Sequence, residues 1–282
     1  GETPSTVAAR LEAEGVIDEA LTFRLLTRLE NKGAKIRAGE YLASPGASVR
    51  DVLTLVTEGP TVARRLTVPE GATTQEALAI IAAAEGLVGE TPQNVPEGAL
   101  LPETYHYALN DTREAVVNRM MQAMRDVVRE AMAAKPEDHP VETPLELVTL
   151  ASIVEKETGV AGERARVAGV FVNRLNRGML LQSDPTTIYA ITRGERRLER
   201  GLTRKDLSLD DPYNTYARPG LPPGPIANPG QAAIMAAAQP LETDDLFFVA
   251  DGSGGHAFAS SLSGHNRNVR KWRAIQRQRG ER

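Results

Sequence analysis

One stretch decides how this chain folds: Leu150-Ala-Ser-Ile-Val-Glu155-Lys-Glu157-Thr-Gly159-Val160. It places two carboxylates on a segment that is otherwise apolar nearly all round. Burial raises the pKa of a glutamate, so the carboxyl can stay protonated near neutral pH, as a general acid aimed at a leaving-group oxygen must. The stretch therefore predicts a buried helix that carries a catalytic acid.

The residues before this stretch predict where the helix begins. Thr143-Pro144-Leu145-Glu146 has the form of a capping box, with Thr143 at the N-cap and proline at the first helical position. Gly159 is a plausible stop, so we expect a helix from about 144 to about 158.

Helical periodicity separates the two glutamates. At 100° per residue, Glu155 falls beside the small Ala151 and Ser152, and Glu157 falls on the opposite flank between two bulky aliphatic residues. These small neighbours leave space for a substrate beside Glu155. We therefore predict Glu155 as the catalytic residue and Ser152 as a substrate contact. The alternative is that both glutamates only anchor packing, by pairing with arginines of the next helix. The candidate partners are Arg164, Arg166 and Arg174.

Composition excludes several classes of protein. The chain has 282 residues, 41% of them hydrophobic, a net charge of -4 and no cysteine. Disulfides and thiolate chemistry are excluded, and nothing indicates nucleic acid as a partner. Basic residues cluster near the C-terminus. We interpret the cluster as the solvated face of a terminal helix, with contact to an anionic polymer or membrane surface as the alternative.

No segment of the sequence is predicted to span a membrane. The longest apolar run, residues 77–84, is far shorter than the ~18 residues that a spanning helix needs. The chain begins at Gly1-Glu2 without an initiator methionine, which is typical of a segment trimmed from a longer protein. A membrane anchor upstream would therefore not be visible.

The N-terminal half repeats one pattern. Three segments, starting near residues 1, 45 and 69, each read as a turn, a Ser/Thr cap, an amphipathic helix and a glycine stop. Between them, residues 35–41 and 61–68 are predicted strands. This α+β arrangement resembles LysM-like modules, which bind N-acetylated glycans. A spacer that binds nothing is an equal alternative.

The C-terminal half continues with helices predicted over 112–134 and 162–176. Asp184, directly before Pro185, is most simply the N-cap of a short helix. A functional alternative makes Asp184 a second carboxylate opposite Glu155, as a glycosidase would need.

Two further segments could surround a site. Residues 211–230 are too rich in Pro and Gly for regular structure, so we expect a rigid loop whose tyrosines and amide suit sugar stacking and acetamido groups. Residues 246–260 predict a hairpin that brings His256, with His265 after it, toward the site. The four histidines lack metal-ligand spacing.

Six motifs in order resemble the MltG (YceG-like) family of endolytic murein transglycosylases. They are Leu150-Ala-Ser-Ile-Val-Glu-Lys-Glu-Thr158, Val170-Phe-Val-Asn-Arg-Leu175, Leu181-Gln-Ser-Asp-Pro185, Tyr213-Asn-Thr-Tyr216, Gly220-Leu-Pro-Pro-Gly224, and Phe248-Val-Ala-Asp-Gly252 with Gly255-His256. The resemblance implies an α+β protein: a LysM-like N-terminal region, 1–98, and a mixed helical and β-hairpin catalytic domain, 99–282, with a boundary good to about ten residues.

The resemblance also implies the reaction. Such an enzyme cleaves the β-1,4 bond between MurNAc and GlcNAc without water, because the 6-hydroxyl of MurNAc attacks C1 and leaves a 1,6-anhydro end. Glu155 is implied as the acid and base, with no metal and no cofactor. The expected substrate-binding residues are Ser152, Gln182, Asp184, Tyr213, Asn214, Tyr216 and His256.

The family further implies a place in the bacterial envelope: one N-terminal inner-membrane helix, a periplasmic catalytic domain, murein strands as substrate and peptidoglycan synthases as partners. Two alternatives belong to other classes. One is a muramidase that uses Glu155 and Asp184, and the other is a non-catalytic glycan-binding scaffold.

Overall fold

The computed structural model describes residues 2–279 and divides into two compact units. Unit 1 comprises the residues up to Arg65 with Glu85–Val88 and His106–Thr112, and unit 2 comprises Leu66–Ala84, Gly89–Tyr105 and the residues from Arg113 onward. Residues 66–84 and 89–98, which the sequence placed in the N-terminal region, group with unit 2 in this division, and the functional boundary at 98/99 stays a prediction. No helix in the described part of the chain combines the length and apolar character needed to cross a membrane.

Unit 1 is built mainly of helices: α1 (Pro4–Ala13), α2 (Ala20–Leu29) and α3 (Val49–Glu58). The sequence predicted α1 and α3, and α3 begins with a complete capping box at Ser48. It missed α2, whose N-cap side chain makes no capping hydrogen bond. The strand expected over 35–41 is wrong, since this segment holds only the end of a 3₁₀ turn and irregular chain. The buried core comprises Ala8, Ile17, Phe23, Val52, Leu53 and Val56.

Next along the chain come β1 (Arg64–Thr67), α4 (Thr74–Ala83), β2 (Thr104–Tyr107) and α5 (Arg113–Ala134). β1 lies within the predicted strand 61–68 and pairs with β2 in a two-stranded sheet. α4 begins with the predicted threonine cap, in a capping box with Glu76. α5 matches its predicted range to within a residue.

The remaining elements of unit 2 are α6 (Pro144–Glu157), α7 (Arg164–Asn176), α8 (Asp184–Thr192), α9 (Arg204–Leu207), α10 (Gln231–Ala238), β3 (Phe247–Ala250), β4 (His256–Ala259) and α11 (Leu262–Arg279). β3 and β4 form the predicted antiparallel hairpin, with Phe247 opposite Ala259. With eleven α-helices and two small sheets in the described residues, the chain has a mixed α/β fold.

α6 is the central helix of unit 2. Its capping box is present: the Glu146 N–H donates to Thr143 Oγ1 at 3.2 Å, and the Thr143 N–H donates to Glu146 Oε2 at 2.9 Å. All residues from Leu147 to Val154 are buried, because α5, α7, α8 and α10 cover different sides of the helix. A helix apolar on all faces is stable only in such a position. Its C-terminal turn therefore carries the glutamates out of the core.

We expect Ile153→Ala to destabilise unit 2 by about 2–5 kcal/mol, because Ile153 is fully buried and its loss leaves a cavity. Leu145→Ala on the same helix is the control, since Leu145 is 57% exposed and should change stability by less than about 0.5 kcal/mol. Urea unfolding followed by fluorescence of Trp272, the single tryptophan, reports on unit 2. Equal effects of the two variants would contradict the central position of α6.

Candidate active site

A cleft of about 360 Å³ in unit 2 contains Glu157 at the end of α6. Elements far apart in the sequence form its walls: α6, α7, the segment before α8, the loop 211–230, β3 and the start of α11. The lining residues are Glu157, Arg174, Leu181, Gln182, Asp184, Tyr216, Phe247, Phe248, Leu262 and His265. A carboxyl group, amide and aromatic side chains therefore share one concave surface.

The Glu157 carboxyl has a perturbed environment. Its Oε1 accepts a hydrogen bond of 2.5 Å from Ser183 Oγ. Burial raises the pKa of Glu157 and the nearby Asp184 charge adds to the rise, whereas the Ser183 hydroxyl and the electrostatic interactions with His256 and Arg174 lower it. The net rise keeps a proton on Glu157 at a higher pH than on an exposed glutamate. A general acid needs this property.

The loop 211–230 holds Ser183 in place. The Ser183 N–H donates to Thr215 Oγ1 at 3.0 Å, and the preceding Gln182 N–H donates to Thr215 O at 3.1 Å. Gln182 has φ of 53°, in the left-handed region that non-glycine residues seldom adopt. Strained backbone of this kind is concentrated at functional sites, where surrounding contacts compensate for it. Here the exposed Gln182 lines the cleft, and the next residue, Ser183, donates its hydroxyl to Glu157.

The opposite walls of the cleft are aromatic and polar. The Tyr216 hydroxyl donates to Asp184 Oδ1 at 2.7 Å. The rings of Phe247 and His265 stack with centroids 5.2 Å apart and planes inclined at 27°. Aromatic faces beside fixed polar groups suit a sugar, which has apolar faces and hydroxyl edges.

Arg174 supplies a buried cation at the base of the cleft. Its guanidinium donates to Leu246 O at 2.7 Å and to Leu181 O at 2.6 Å. Burial lowers the pKa of Arg174, although an arginine remains charged throughout the physiological range. This side chain therefore ties the segment before α8 to β3, and its charge favours the ionised form of Glu157.

Glu155 lies in a different environment, outside the cleft lining. Its side chain is 6% exposed; Oε2 accepts from the Gly230 N–H at 2.9 Å, and Oε1 lies 3.5 Å from Arg164 Nη2. Arg164 also pairs with Glu70. Burial raises the pKa of Glu155, while the Gly230 N–H and Arg164 favour its ionised form. Glu155 therefore lies beside Arg164, one of the arginines that the sequence offered as partners of the two glutamates.

Two other predicted contacts are internal to the fold. Ser152 is fully buried, and its hydroxyl donates to Thr149 O at 2.7 Å and accepts from the Ile226 N–H at 3.0 Å. Asn214 is also fully buried, with its Oδ1 accepting from Thr187 Oγ1 at 2.8 Å. Both side chains hold elements together, so neither is placed to meet a ligand in the cleft.

Tyr213 and His256 also lie outside the cleft lining. The Tyr213 ring packs on Tyr189 with centroids 4.9 Å apart, and His256 Nδ1 lies 2.7 Å from Glu163 Oε2. Asp184 is the first residue of α8 and not its N-cap, which is the preceding serine. The predicted residues that the structure brings together with Glu157 are therefore Gln182, Asp184 and Tyr216.

The sequence did not predict a substrate-binding role for the other cleft residues. Ser183 lies inside the quoted Leu181–Pro185 motif, and Phe247 lies in the predicted hairpin, so pattern offered a weak signal for each. Arg174 was named only as a possible partner of the glutamates, and no local pattern indicates that it lines the cleft. Within residues 2–279, no group of three or more metal-binding side chains is placed to hold an ion.

The sequence matches the model of the YceG-like family over residues 1–271. The chain belongs to the YceG-like family. An endolytic murein transglycosylase of Bacillus subtilis is 31% identical to this YceG-like chain over 96% of the chain and 82% of the relative. A protein of the same name from Streptococcus pneumoniae is 29% identical over 95% of the chain and 56% of the relative.

A solved structure shares the fold of this YceG-like chain. The crystal structure of a YceG-like protein from Listeria monocytogenes is similar with a TM-score of 0.58 and 28% identity, over 94% of this chain and 95% of that one. The likeness therefore extends over both units and is not confined to the cleft.

We expect Glu157→Gln to stabilise unit 2 at pH 7–8 by roughly 1 kcal/mol. The raised pKa means that wild-type stability falls as pH rises above the ordinary glutamate value of 4.5 toward the folded value. Glutamine does not titrate, so the gain should disappear as pH is lowered below 4.5. Urea unfolding at several pH values measures it, with the exposed Glu137→Gln as the control. A gain that is independent of pH would contradict desolvation as the cause.

Proposed function

We propose that this chain is an endolytic murein transglycosylase, which cleaves the β-1,4 bond between MurNAc and GlcNAc within a strand and leaves a 1,6-anhydroMurNAc end. Membership of the YceG-like family and relatives that bear this name support the proposal. The observation that carries it at the level of residues is a desolvated carboxyl group in a cleft with aromatic walls.

We assign the acid and base role to Glu157 and not to Glu155, which the sequence favoured. Glu157 lines the cleft and has one hydroxyl partner, so its carboxyl can reach a bound sugar. Both Glu155 oxygens face protein groups, the Gly230 N–H and Arg164. A general acid must come within hydrogen-bond reach of the atom that it protonates, and Glu157 fits this requirement better.

The reaction needs only this one carboxyl group. Glu157 gives its proton to the glycosidic oxygen as the bond from that oxygen to C1 of MurNAc breaks. The 6-hydroxyl oxygen of the same MurNAc then forms a bond to C1, and its proton passes to the Glu157 carboxylate. The enzyme regains its starting state and no water is consumed. An acid and base of matched pKa contributes about 10²- to 10⁴-fold to such a rate.

The neighbours of Glu157 suit the oxocarbenium-like state between these steps. The Asp184 carboxylate, fixed by the Tyr216 hydroxyl, places negative charge beside the cleft, and Gln182 offers an amide to an acetamido group. A muramidase that pairs Glu155 with Asp184 is less consistent with this geometry, because Glu155 is absent from the cleft lining.

The substrate also indicates where the chain acts. Murein lies outside the inner membrane, so we propose a periplasmic catalytic domain, held by the N-terminal inner-membrane helix that the sequence resemblance implies. In the same proposal, the N-terminal region 1–98 acts as a LysM-like module that binds glycan, and peptidoglycan synthases are partners. The support for these three assignments is the resemblance of the sequence.

We expect Glu157→Gln to lower kcat on purified sacculi by about 10²- to 10⁴-fold. Glu155→Gln keeps an acceptor for the Gly230 N–H, so its activity should fall less than about tenfold. Mass spectrometry of the products measures both variants and identifies the chemistry, because anhydro ends are lighter than reducing ends by one water. A larger loss for Glu155→Gln would return the catalytic role to Glu155, and reducing ends would identify a muramidase.

Ser183→Ala should move the alkaline limb of the kcat/KM profile to higher pH. The Ser183 hydroxyl stabilises the ionised form of Glu157, so its removal raises the Glu157 pKa further and keeps the acid protonated at higher pH. Ser183→Thr, which retains a hydroxyl, is the control. A limb that moves to lower pH, or does not move, would contradict the hydrogen bond as the cause.

A further inference from the structure

Helix α2 in unit 1 exposes a face that combines large apolar side chains with cations. Leu21, Leu25 and Leu29 are 60%, 54% and 82% exposed, and Arg24 and Arg28 are exposed beside them. We call these five residues the α2 face. Three of the eleven large hydrophobic residues that are exposed within residues 2–279 therefore lie on one helix of ten residues. Single exposed leucines are ordinary, whereas a row of them marks a surface that binds a partner.

The α2 face is separate from the side of the helix that packs in unit 1. At 100° per residue its five residues span an arc of about 140°, with the arginines along one edge and the leucines along the other. Phe23, which points away from this arc, is fully buried in the core of unit 1. The packing of unit 1 therefore leaves the α2 face free.

The arginines of the α2 face carry uncompensated charge. The helix itself contains no Asp or Glu. Glu30, which follows its last residue, pairs with Lys32 and Arg50. In the described part of the chain no carboxylate forms a salt bridge with Arg24 or Arg28. The face therefore attracts an anionic partner.

A groove of about 430 Å³ lies beside these arginines. Its walls are α2, the start of α1 and the 3₁₀ turn that follows α2. The lining includes Ser5, Leu21, Arg24, Leu25, Arg28 and Asn31, and none of its residues is acidic or aromatic. Two guanidinium groups beside leucines suit a ligand that has an anionic head and an apolar tail.

We propose that the α2 face binds the surface of an anionic phospholipid bilayer, with its leucines in the acyl region and its arginines on the phosphates. Helices that lie on membranes place large apolar side chains beside their cations in this way. The apolar stems of Arg24 and Arg28 can lie along the leucines while the guanidinium groups reach the phosphates. The inference goes beyond the proposed function and does not depend on the reaction, because binding to a bilayer requires no murein.

The basic C-terminal helix α11 fits a bilayer less well. Its exposed cations include Arg267, Arg270, Lys271, Arg273 and Arg277. Its large apolar side chains face the hairpin instead, because an added Cβ at Gly252 would meet Ile275 at 3.1 Å and Trp272 at 3.4 Å. Charge without apolar anchors gives only a weak attraction that salt screens. Helix α11 is therefore the matched comparison for the arginines of the α2 face.

A glycan strand also fits the groove less well than a lipid. Sugars stack on aromatic faces, and the groove lining contains none. The glycan binding proposed for the region 1–98 would therefore use another surface of that region.

The test measures partition of the full chain into two kinds of vesicle, one of phosphatidylcholine alone and one that also contains phosphatidylglycerol. The leucine variant combines Leu21→Gln, Leu25→Gln and Leu29→Gln, and the arginine variant combines Arg24→Gln and Arg28→Gln. The control for the leucines combines Leu42→Gln, Leu145→Gln and Leu241→Gln, three exposed leucines outside α2. The control for the arginines combines Arg270→Gln and Arg273→Gln in α11. Binding of fluorescent glycan strands is measured with the same variants.

The leucine variant should lower the partition coefficient about tenfold for both kinds of vesicle, because it removes the apolar anchors. The arginine variant should lower it about tenfold for vesicles with phosphatidylglycerol at low salt, and the difference should shrink as salt is added. On phosphatidylcholine alone the arginine variant, and on either vesicle both controls, should change the coefficient less than about twofold. Circular dichroism checks that each variant is folded.

A labelled cysteine locates the contact, since the chain has no cysteine of its own. Leu25→Cys that carries an environment-sensitive fluorophore should move its emission to shorter wavelength on vesicles with phosphatidylglycerol. A quencher attached to the lipid should reduce that emission. Leu145→Cys is the control, because the native leucine is 57% exposed, close to the 54% of Leu25. Its emission should stay unchanged.

Three results would overturn the proposal: no partition of the wild-type chain into either kind of vesicle, equal losses for the α2 variants and their controls, or a loss confined to glycan strands, which would assign the groove to murein. Failure here is distinguishable from failure of the proposed function. Partition into vesicles involves no murein, whereas the mass of the products from sacculi tests the chemistry whatever the α2 face binds.

Discussion

The burial of α6 is the constraint on which the rest of unit 2 depends. Eight successive residues, Leu147 to Val154, are removed from water, which requires neighbours on every side of the helix and supplies much of the apolar surface that the unit buries. The helix then ends at Glu157, where the core gives way to the cleft. Its polar C-terminal turn therefore lies at the boundary between the two, and a carboxyl at such a boundary is partly desolvated but still accessible.

Two glutamates separated by one residue acquire different properties from this position. They point about 200° apart on the helix, so different parts of the chain surround them. Glu155 meets the Gly230 N–H and Arg164, which compensate its charge and fix the start of α10. Glu157 meets a single hydroxyl and open space. Burial raises the pKa of both carboxyls, but their partners differ, and in our proposal this difference gives Glu157 the catalytic role.

The cleft is held in shape by backbone hydrogen bonds as well as by side-chain packing. Arg174 ties together carbonyl groups before α8 and at β3, and Thr215 binds the backbone of Gln182 and Ser183. The loop 211–230 is mostly engaged in such contacts, with Asn214 and Asn228 fully buried in it. Only Tyr216 of this loop reaches the cleft lining. Preorganisation of this kind keeps polar groups aimed at a ligand before it binds.

The sequence by itself determined the elements whose signals are local. The capping box at Thr143 predicted the start of α6, and Ser/Thr caps predicted α3 and α4. Alternating apolar residues around a glycine-rich turn predicted the hairpin. The sequence did not predict α2, because its N-cap side chain makes no capping hydrogen bond. The six motifs, in their order along the chain, also indicated the family. Only the tertiary structure shows how the surroundings of Glu155 and Glu157 differ, because periodicity tells where a side chain points along its helix but not which distant segment covers it. Arg164, Gly230 and Ser183 are brought to these glutamates by folding alone.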